Sequence, residues 1–209
     1  MQELKPVSYV VAFNGFVRFT FVSTIWFIIP LSLASFANPF VPEGFALGVF
    51  EIGGIFTMVV GGFLADHYSK KKIFLNFLLF CCFATFVLGL VDKSFFLFVI
   101  MAFITMIAYD VVGPSADSML AIVDTKHDKD GTIYGFIGTL ADFGFIIGPL
   151  LSGLIFGLFG LQAVFIFLSI LLFFDWVFGK ILLKNFTENR SAINLIHQKF
   201  HLGGTHKTR

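Results

Sequence analysis

Long apolar runs alternate with short polar stretches along most of the chain. Each run is about 19 residues or longer, which is enough for a helix to cross a hydrocarbon core of about 30 Å. Backbone polar groups in lipid need partners within their own segment, so each run is predicted to be a helix. The predicted spans are Val7–Phe36, Gly44–Ala65, Ile73–Val91, Phe95–Val123, Thr132–Leu158 and Ala163–Leu183.

Composition agrees with this pattern and narrows the class of protein. Hydrophobic residues make up 57% of the 209 residues and charged residues only 13%, too few to cover a soluble domain. The fold class is therefore an all-α membrane protein with six transmembrane helices. A formal net charge of +1 gives no indication of nucleic-acid binding. The adjacent Cys81 and Cys82 have no metal-ligand spacing, so no metal site and no cofactor are expected.

The distribution of basic residues predicts the orientation in the membrane. If the N-terminus is cytoplasmic, every lysine and arginine except Arg18 and Lys93 falls within or beside a cytoplasmic segment. This bias places both termini in the cytoplasm, which requires an even number of spans. Residues 1–184 are predicted to form the six-helix unit, and residues 185–209 a polar, partly basic cytoplasmic tail. The plasma (inner) membrane is the expected location.

The loop between the second and third predicted spans carries a dense cluster of charge, "GGFLADHYSKKK" at residues 61–72. It resembles the signature loop of the major facilitator superfamily, whose pattern is G-x-L-A-D-R/K-x-G-R/K-R/K. His67 and Ser69 replace a basic residue and a glycine of that pattern. The positions that match and carry charge or turn chemistry are Gly62, Asp66, Lys70 and Lys71.

The fifth predicted span carries a second pattern, G-x8-G-x3-G-P-x2-G-G, from which only Ser152 departs. It resembles the antiporter-associated motif of that family's fifth helix. Gly144, Gly148 and Ser152 recur every four residues, so they share a helical face that permits close backbone approach, and Pro149 bends the helix there. The whole predicted helix-packing motif is Gly135, Gly144, Gly148, Pro149, Ser152 and Gly153.

The resemblance implies that the charged loop is a cytoplasmic gate. Asp66 would accept hydrogen bonds from a neighbouring helix N-terminus. Lys70 or Lys71 would pair with Asp124 at the cytoplasmic end of span four, a contact that breaks when the gate opens. The alternative is that the three lysines only anchor the loop on the cytoplasmic side.

Family members usually have twelve helices in two six-helix halves, so the resemblance implies one half and a second half as partner, either another copy or a separate chain. Span four lacks the arginine usual in the first half. Its "YDVVGPSADSMLAIVD" and the following "GTIYG" look more like a tenth helix and its exit, which favours the C-terminal half.

Ionisable residues inside the predicted spans are the candidates for a substrate and proton path, because each is costly in lipid unless paired or neutral. Asp110, Asp117 and Asp124 are seven apart and share a helical face, and by resemblance spans one and four line the central cavity. A structural ion pair of Arg18 with an acid is the alternative, and Asp175, beside Trp176, is expected at the membrane interface. The candidates for the path are Arg18, Glu51, Asp110, Asp117 and Asp142.

These observations predict a secondary transporter, or half of one, that moves a small solute by alternating access. Proton-coupled export is expected from the antiporter-like motif, and a non-transporting subunit or degenerate fragment is the alternative. The "GPSA" at residues 113–116 imitates the nucleophile site of an intramembrane serine protease. None of the histidines lies in a predicted span to act as base, so the protein is not expected to be an enzyme.

Overall fold

The computed structural model describes residues 4–35, 43–91, 94–124 and 130–186. These residues form six α-helices and no strand, as the apolar runs predict. The helices are α1 (Leu4–Ser35), α2 (Glu43–His67), α3 (Lys70–Leu90), α4 (Phe95–Asp124), α5 (Asp130–Phe159) and α6 (Leu161–Leu182).

The length and composition of five of these helices suit a membrane crossing. The candidate spans are Pro6–Ser32, Lys70–Leu90, Phe95–Ala121, Tyr134–Phe159 and Leu161–Leu182. Helix α2 is 25 residues long, and its crossing stays a prediction, as do the six-span count and the cytoplasmic termini.

Two helix boundaries follow from local chemistry. Ser69 caps α3, because its Oγ accepts a hydrogen bond from the Lys72 amide at 3.4 Å. Gly160 separates α5 from α6 with a φ of 81°, a left-handed conformation that favours glycine. The chain therefore reverses between these helices at one residue.

Helix α1 lies at the centre of the bundle. It packs most extensively against α5 and also contacts α6, α4 and α2, while α4 packs against α3 and α2, and α3 against α6. Large side chains fill the space between these helices, among them the fully buried Phe21, Phe74, Phe98 and Phe165. Helix α5 is the least buried of the five candidate spans. The arrangement leaves α1, α2 and α4 to enclose a central cavity.

Candidate functional site

The central cavity has a volume of about 360 Å³. It lies near the middle of the candidate spans, since Arg18 is about 18 Å along α1 from Pro6 and Asp110 is about 17 Å along α4 from Ala121. The lining residues are Arg18, Phe19, Val22 and Trp26 of α1, Gly54 and Met58 of α2, and Met106, Tyr109, Asp110 and Gly113 of α4.

Arg18 is positioned by the helix opposite it. Its Nη1 lies where a side chain at Gly113 would begin, so only glycine at that position leaves room for the guanidinium. The guanidinium also lies over the Phe19 ring, 5.6 Å from its centroid. The Tyr109 hydroxyl donates a 3.0 Å hydrogen bond to the Arg18 carbonyl oxygen and so ties α4 to α1 at this level.

Asp110 of α4 lines the cavity and is only 9% exposed. Thr57 of α2 donates a hydrogen bond from Oγ1 to Asp110 Oδ2 at 3.1 Å. A Cβ at Gly54 would come within 2.9 Å of the same oxygen, so the glycine makes room for the carboxyl group. Pro114 has no amide N–H to donate to the backbone carbonyl of Asp110, four residues earlier. One hydrogen bond of the α4 backbone is therefore missing at Asp110.

The other predicted path residues lie elsewhere. Asp117 is exposed, about 10 Å beyond Asp110 along α4, and Asp142 is exposed on α5. The side chain of Glu51 is outside the described part of the structure. Asp175, expected at the membrane interface, is instead fully buried between α6 and α1. Arg18 and Asp110 are thus the two candidates that the structure brings to one cavity.

The charged loop joins three helix ends. Lys70 is 6% exposed, and its Nζ donates a 2.7 Å hydrogen bond to the Ala65 carbonyl in the last turn of α2. Lys71 Nζ donates to the Lys184 carbonyl at 3.2 Å, just after α6 ends. Cations at helix C-termini are favourable, so both lysines complement the dipoles of neighbouring helices although they begin α3 themselves.

The acidic and glycine positions predicted to belong to the gate lie as follows. Asp66 is exposed in the last turn of α2, and a Cβ at Gly62 would meet no atom within 4 Å. Asp124 ends α4, but its side chain lies outside the described residues, so the predicted latch between it and Lys70 or Lys71 remains a prediction.

We expect the substitution Lys70→Met to lower the thermal stability of the protein, because a hydrogen bond made by a charged group contributes about 1.5–3 kcal/mol. Lys72→Met is the matched control, since Lys72 is exposed in the same helical turn. The measurement is the melting temperature of each variant in detergent, followed by size-exclusion elution. Equal melting temperatures for both variants would show that the Lys70–Ala65 contact does not stabilise the loop.

The glycine pattern of α5 packs against α1 at two positions. A Cβ at Gly144 would overlap the Phe16 carbonyl oxygen, and one at Gly148 would overlap Ser23 Oγ and lie 2.6 Å from the Thr20 carbonyl oxygen. The two helix backbones are therefore in direct contact along this face.

The remaining positions of that pattern contribute in other ways. Ser152, also buried, donates a 3.2 Å hydrogen bond from Oγ to the carbonyl of Pro149. A Cβ at Gly153 would only reach ordinary contact with the Phe27 ring at 3.9 Å, and one at Gly135 would meet nothing within 4 Å. Close approach of α5 to α1 therefore depends on the middle of the pattern.

The sequence matches the family model of the Major Facilitator Superfamily over residues 11–198. This chain belongs to the Major Facilitator Superfamily. The structure is similar to the crystal structure of the POT family transporter PepTSo, with a TM-score of 0.72 and 20% sequence identity. That similarity covers 85% of this chain and 37% of PepTSo, and it concerns the fold.

Two curated proteins are similar to parts of this chain. The probable hexose phosphate transport protein of Chlamydia muridarum is 34% identical over 111 residues, which are 50% of this chain and 24% of that protein. The multidrug resistance protein MdtG of Dickeya zeae is 28% identical over 162 residues, 75% of this chain and 37% of that protein. The chain thus spans about a quarter to just over a third of their length.

Several residues at the cavity of this Major Facilitator Superfamily chain were not among the sequence candidates. They carry no charge, so nothing in a linear pattern separates Thr57 or Tyr109 from ordinary span residues. The glycines Gly54 and Gly113 could have been noticed as small positions near charged ones, but their role depends on which helix lies opposite.

The serine of the "GPSA" sequence, Ser115, is fully buried, and its hydroxyl group donates a 2.7 Å hydrogen bond to the Val112 carbonyl.

Proposed function

We propose that the protein moves a small solute across the membrane by alternating access, and that solute and proton use the cavity between Arg18 and Asp110. The observation that carries this proposal is a cation and a nearly buried carboxyl group lining one cavity at mid-membrane depth. Ionisable groups at that depth are costly and typically mark the path of a substrate or proton. Membership of a transporter superfamily supports the same conclusion.

The two charges suggest how solute and proton are coupled. Export in exchange for a proton requires that solute and proton bind in turn. With Asp110 ionised, Arg18 would bind an anionic group of the solute while solute hydroxyl groups donate hydrogen bonds to the carboxylate. Protonation of Asp110 would weaken these charge-assisted hydrogen bonds and release the solute. The name of the Chlamydia relative supports an anionic solute, because a guanidinium binds phosphate with two parallel hydrogen bonds. The antiporter-like pattern of α5 supports export, and one relative is named a multidrug resistance protein.

A second six-helix half, another copy or a separate chain, is the proposed partner. One face of α5 is exposed and carries Gly131, Gly135, Gly138 and Asp142, spaced by three or four residues. A carboxylate cannot face hydrocarbon without cost, whereas a facing helix or a water-filled path would satisfy it.

The proposals on gating, on which half the chain represents and on its location rest on sequence motifs and charge distribution. We propose that the charged loop gates the cytoplasmic side, that the chain corresponds to the C-terminal half, and that it resides in the plasma (inner) membrane with both termini in the cytoplasm. The close packing of α1 on α5 would let this six-helix half move as a rigid body against its partner.

The test is solute flux in inside-out membrane vesicles from cells that express the protein. We expect an acidic vesicle interior to drive uptake of radiolabelled glucose 6-phosphate, used as the anionic probe, and a protonophore to abolish it. A lipophilic cation such as ethidium is the second probe. Uptake of ethidium alone would indicate that the transported solute is a drug-like cation and not an anion. If neither probe moves above the level of vesicles without the protein, the transport proposal fails.

A further inference from the structure

The most deeply buried carboxyl group of the described residues is outside the central cavity. Asp175 of α6 is 0% exposed, and its Oδ2 accepts a 2.6 Å hydrogen bond from Asn14 Nδ2 of α1. Its Oδ1 is buried as well and has no hydrogen-bond partner within the described part of the chain. The group lies about 10 Å along α6 from Leu182, inside the candidate span.

Described basic residues on α6 and on the helices packed against it have contacts with other groups. On its own helix, the exposed Lys180 places Nζ 4.5 Å from the centroid of the Trp176 ring. On α1, the guanidinium of Arg18 lies against Gly113 of α4. At the start of α3, Lys70 and Lys71 donate to backbone carbonyls at helix ends.

The other described titratable groups on the packed helices also lie away from Asp175 or contact other groups. On α3, the Cys81 thiol lies against the Thr105 carbonyl, and the Cys82 thiol against Ser169. On α5, Asp142 and Tyr134 are exposed, and on α1 Tyr9 is 56% exposed. Among the described residues, the neutral amide of Asn14 is therefore the polar group that contacts this carboxyl group.

An ionised carboxylate in this setting would hold a full charge in a medium of low dielectric constant with one neutral donor. That arrangement costs far more free energy than burying the neutral acid, whose second oxygen then lacks only a hydrogen bond. A carboxylic acid that accepts from Asn14 through its carbonyl oxygen satisfies the observed geometry without a buried charge.

We propose that Asp175 is a proton-binding site at the α1–α6 interface, separate from the central cavity. It is neutral while α1 and α6 pack as in the structure, and it releases its proton to water when these helices separate. Asn14 lies four residues before Arg18, one helical turn away on α1. Proton release at Asp175 would consequently be linked to a movement of the helix that carries the cavity arginine. The assignment concerns proton binding alone and does not depend on the transport proposal.

The test is infrared difference spectroscopy of the protein in lipid, recorded as the pH is raised from acidic to alkaline. We expect the wild type to retain at neutral pH the C=O stretching band of a protonated carboxyl group. Asp175→Asn should remove a component of this band that Asp110→Asn leaves in place, which separates the site from the cavity acid. A wild-type band at neutral pH that Asp175→Asn leaves unchanged, or the absence of any such band, would overturn the proposal.

A second variant covers the case in which Asp175→Asn does not fold. Asn14→Leu keeps the carboxyl group but removes its hydrogen-bond donor, so the C=O band should move to higher frequency. A purely structural pair would have an ionised Asp175 and no such band to move, and an unshifted or absent band in Asn14→Leu would count against the proton site.

Discussion

Replacing Gly148 with alanine is expected to destabilise the protein strongly, because the added methyl group falls at the contact between α5 and α1. The new Cβ would overlap Ser23 Oγ and lie 2.6 Å from the Thr20 carbonyl oxygen and 3.1 Å from Thr24 Oγ1. The serine side chain can rotate, but the carbonyl belongs to the backbone of α1, so the helices must separate. Overpacking of this kind costs about 1–3 kcal/mol or more, and Gly148→Leu should prevent folding.

The matched control is Gly157→Ala on the same helix. A Cβ at Gly157 would meet nothing within 4 Å, and the position is exposed, so the higher helix propensity of alanine is expected to leave stability equal or higher. Melting temperatures of the two variants in detergent, together with the yield of folded protein, give the comparison. A Gly148→Ala variant that melts at or above the wild-type temperature would show that α1 and α5 are not in direct backbone contact.

The helices of this protein could be predicted because lipid restricts the backbone so strongly. An apolar run of about 19 residues or more has few structures open to it in hydrocarbon, and the described part of each run forms a helix. The close face of α5 could be anticipated for a similar reason, since glycines four apart place no side chain between helices. The helix that packs against that face could not be predicted from the sequence, because α1 is more than a hundred residues away.

The candidate site was harder to predict than the fold, because its partners come from different helices. Asp175 illustrates the difficulty: Trp176 and Lys180 beside it are typical of a membrane interface, yet it is buried against Asn14, 161 residues earlier in the chain. The local pattern reports composition near the interface, whereas burial depends on which face of α6 meets α1.

Asp117 shows that a shared helical face is not a shared cavity. Seven residues return almost to the same side of a helix, which is why the sequence grouped Asp117 with Asp110. They also add about 10 Å of length, and at that depth the carboxyl group of Asp117 is exposed while that of Asp110 is nearly buried. Depth along the helix, which a periodic pattern leaves undetermined, decides which of the two acids lines the cavity.

The substitution Asp110→Asn is expected to abolish solute movement driven by a pH gradient while sparing solute binding or exchange. The amide keeps the size of the carboxyl group and can still accept the hydrogen bond from Thr57, so the cavity should hold its shape. It cannot gain or lose a proton. Gradient-driven flux should fall by about tenfold or more, equivalent to a barrier for this movement that is higher by at least about 1.4 kcal/mol.

Asp117→Asn is the control, because it removes a carboxyl group of the same helical face that is exposed and does not line the cavity. Its gradient-driven flux should stay close to that of the wild type. Counterflow of the same labelled solute without a pH gradient measures binding and exchange, and it should be similar in both variants. If Asp110→Asn retains full gradient-driven flux, the proton does not travel through the cavity, and Asp142 on the exposed face of α5 becomes the carboxyl group to replace next. If Asp142→Asn also retains it, coupling runs through neither acid.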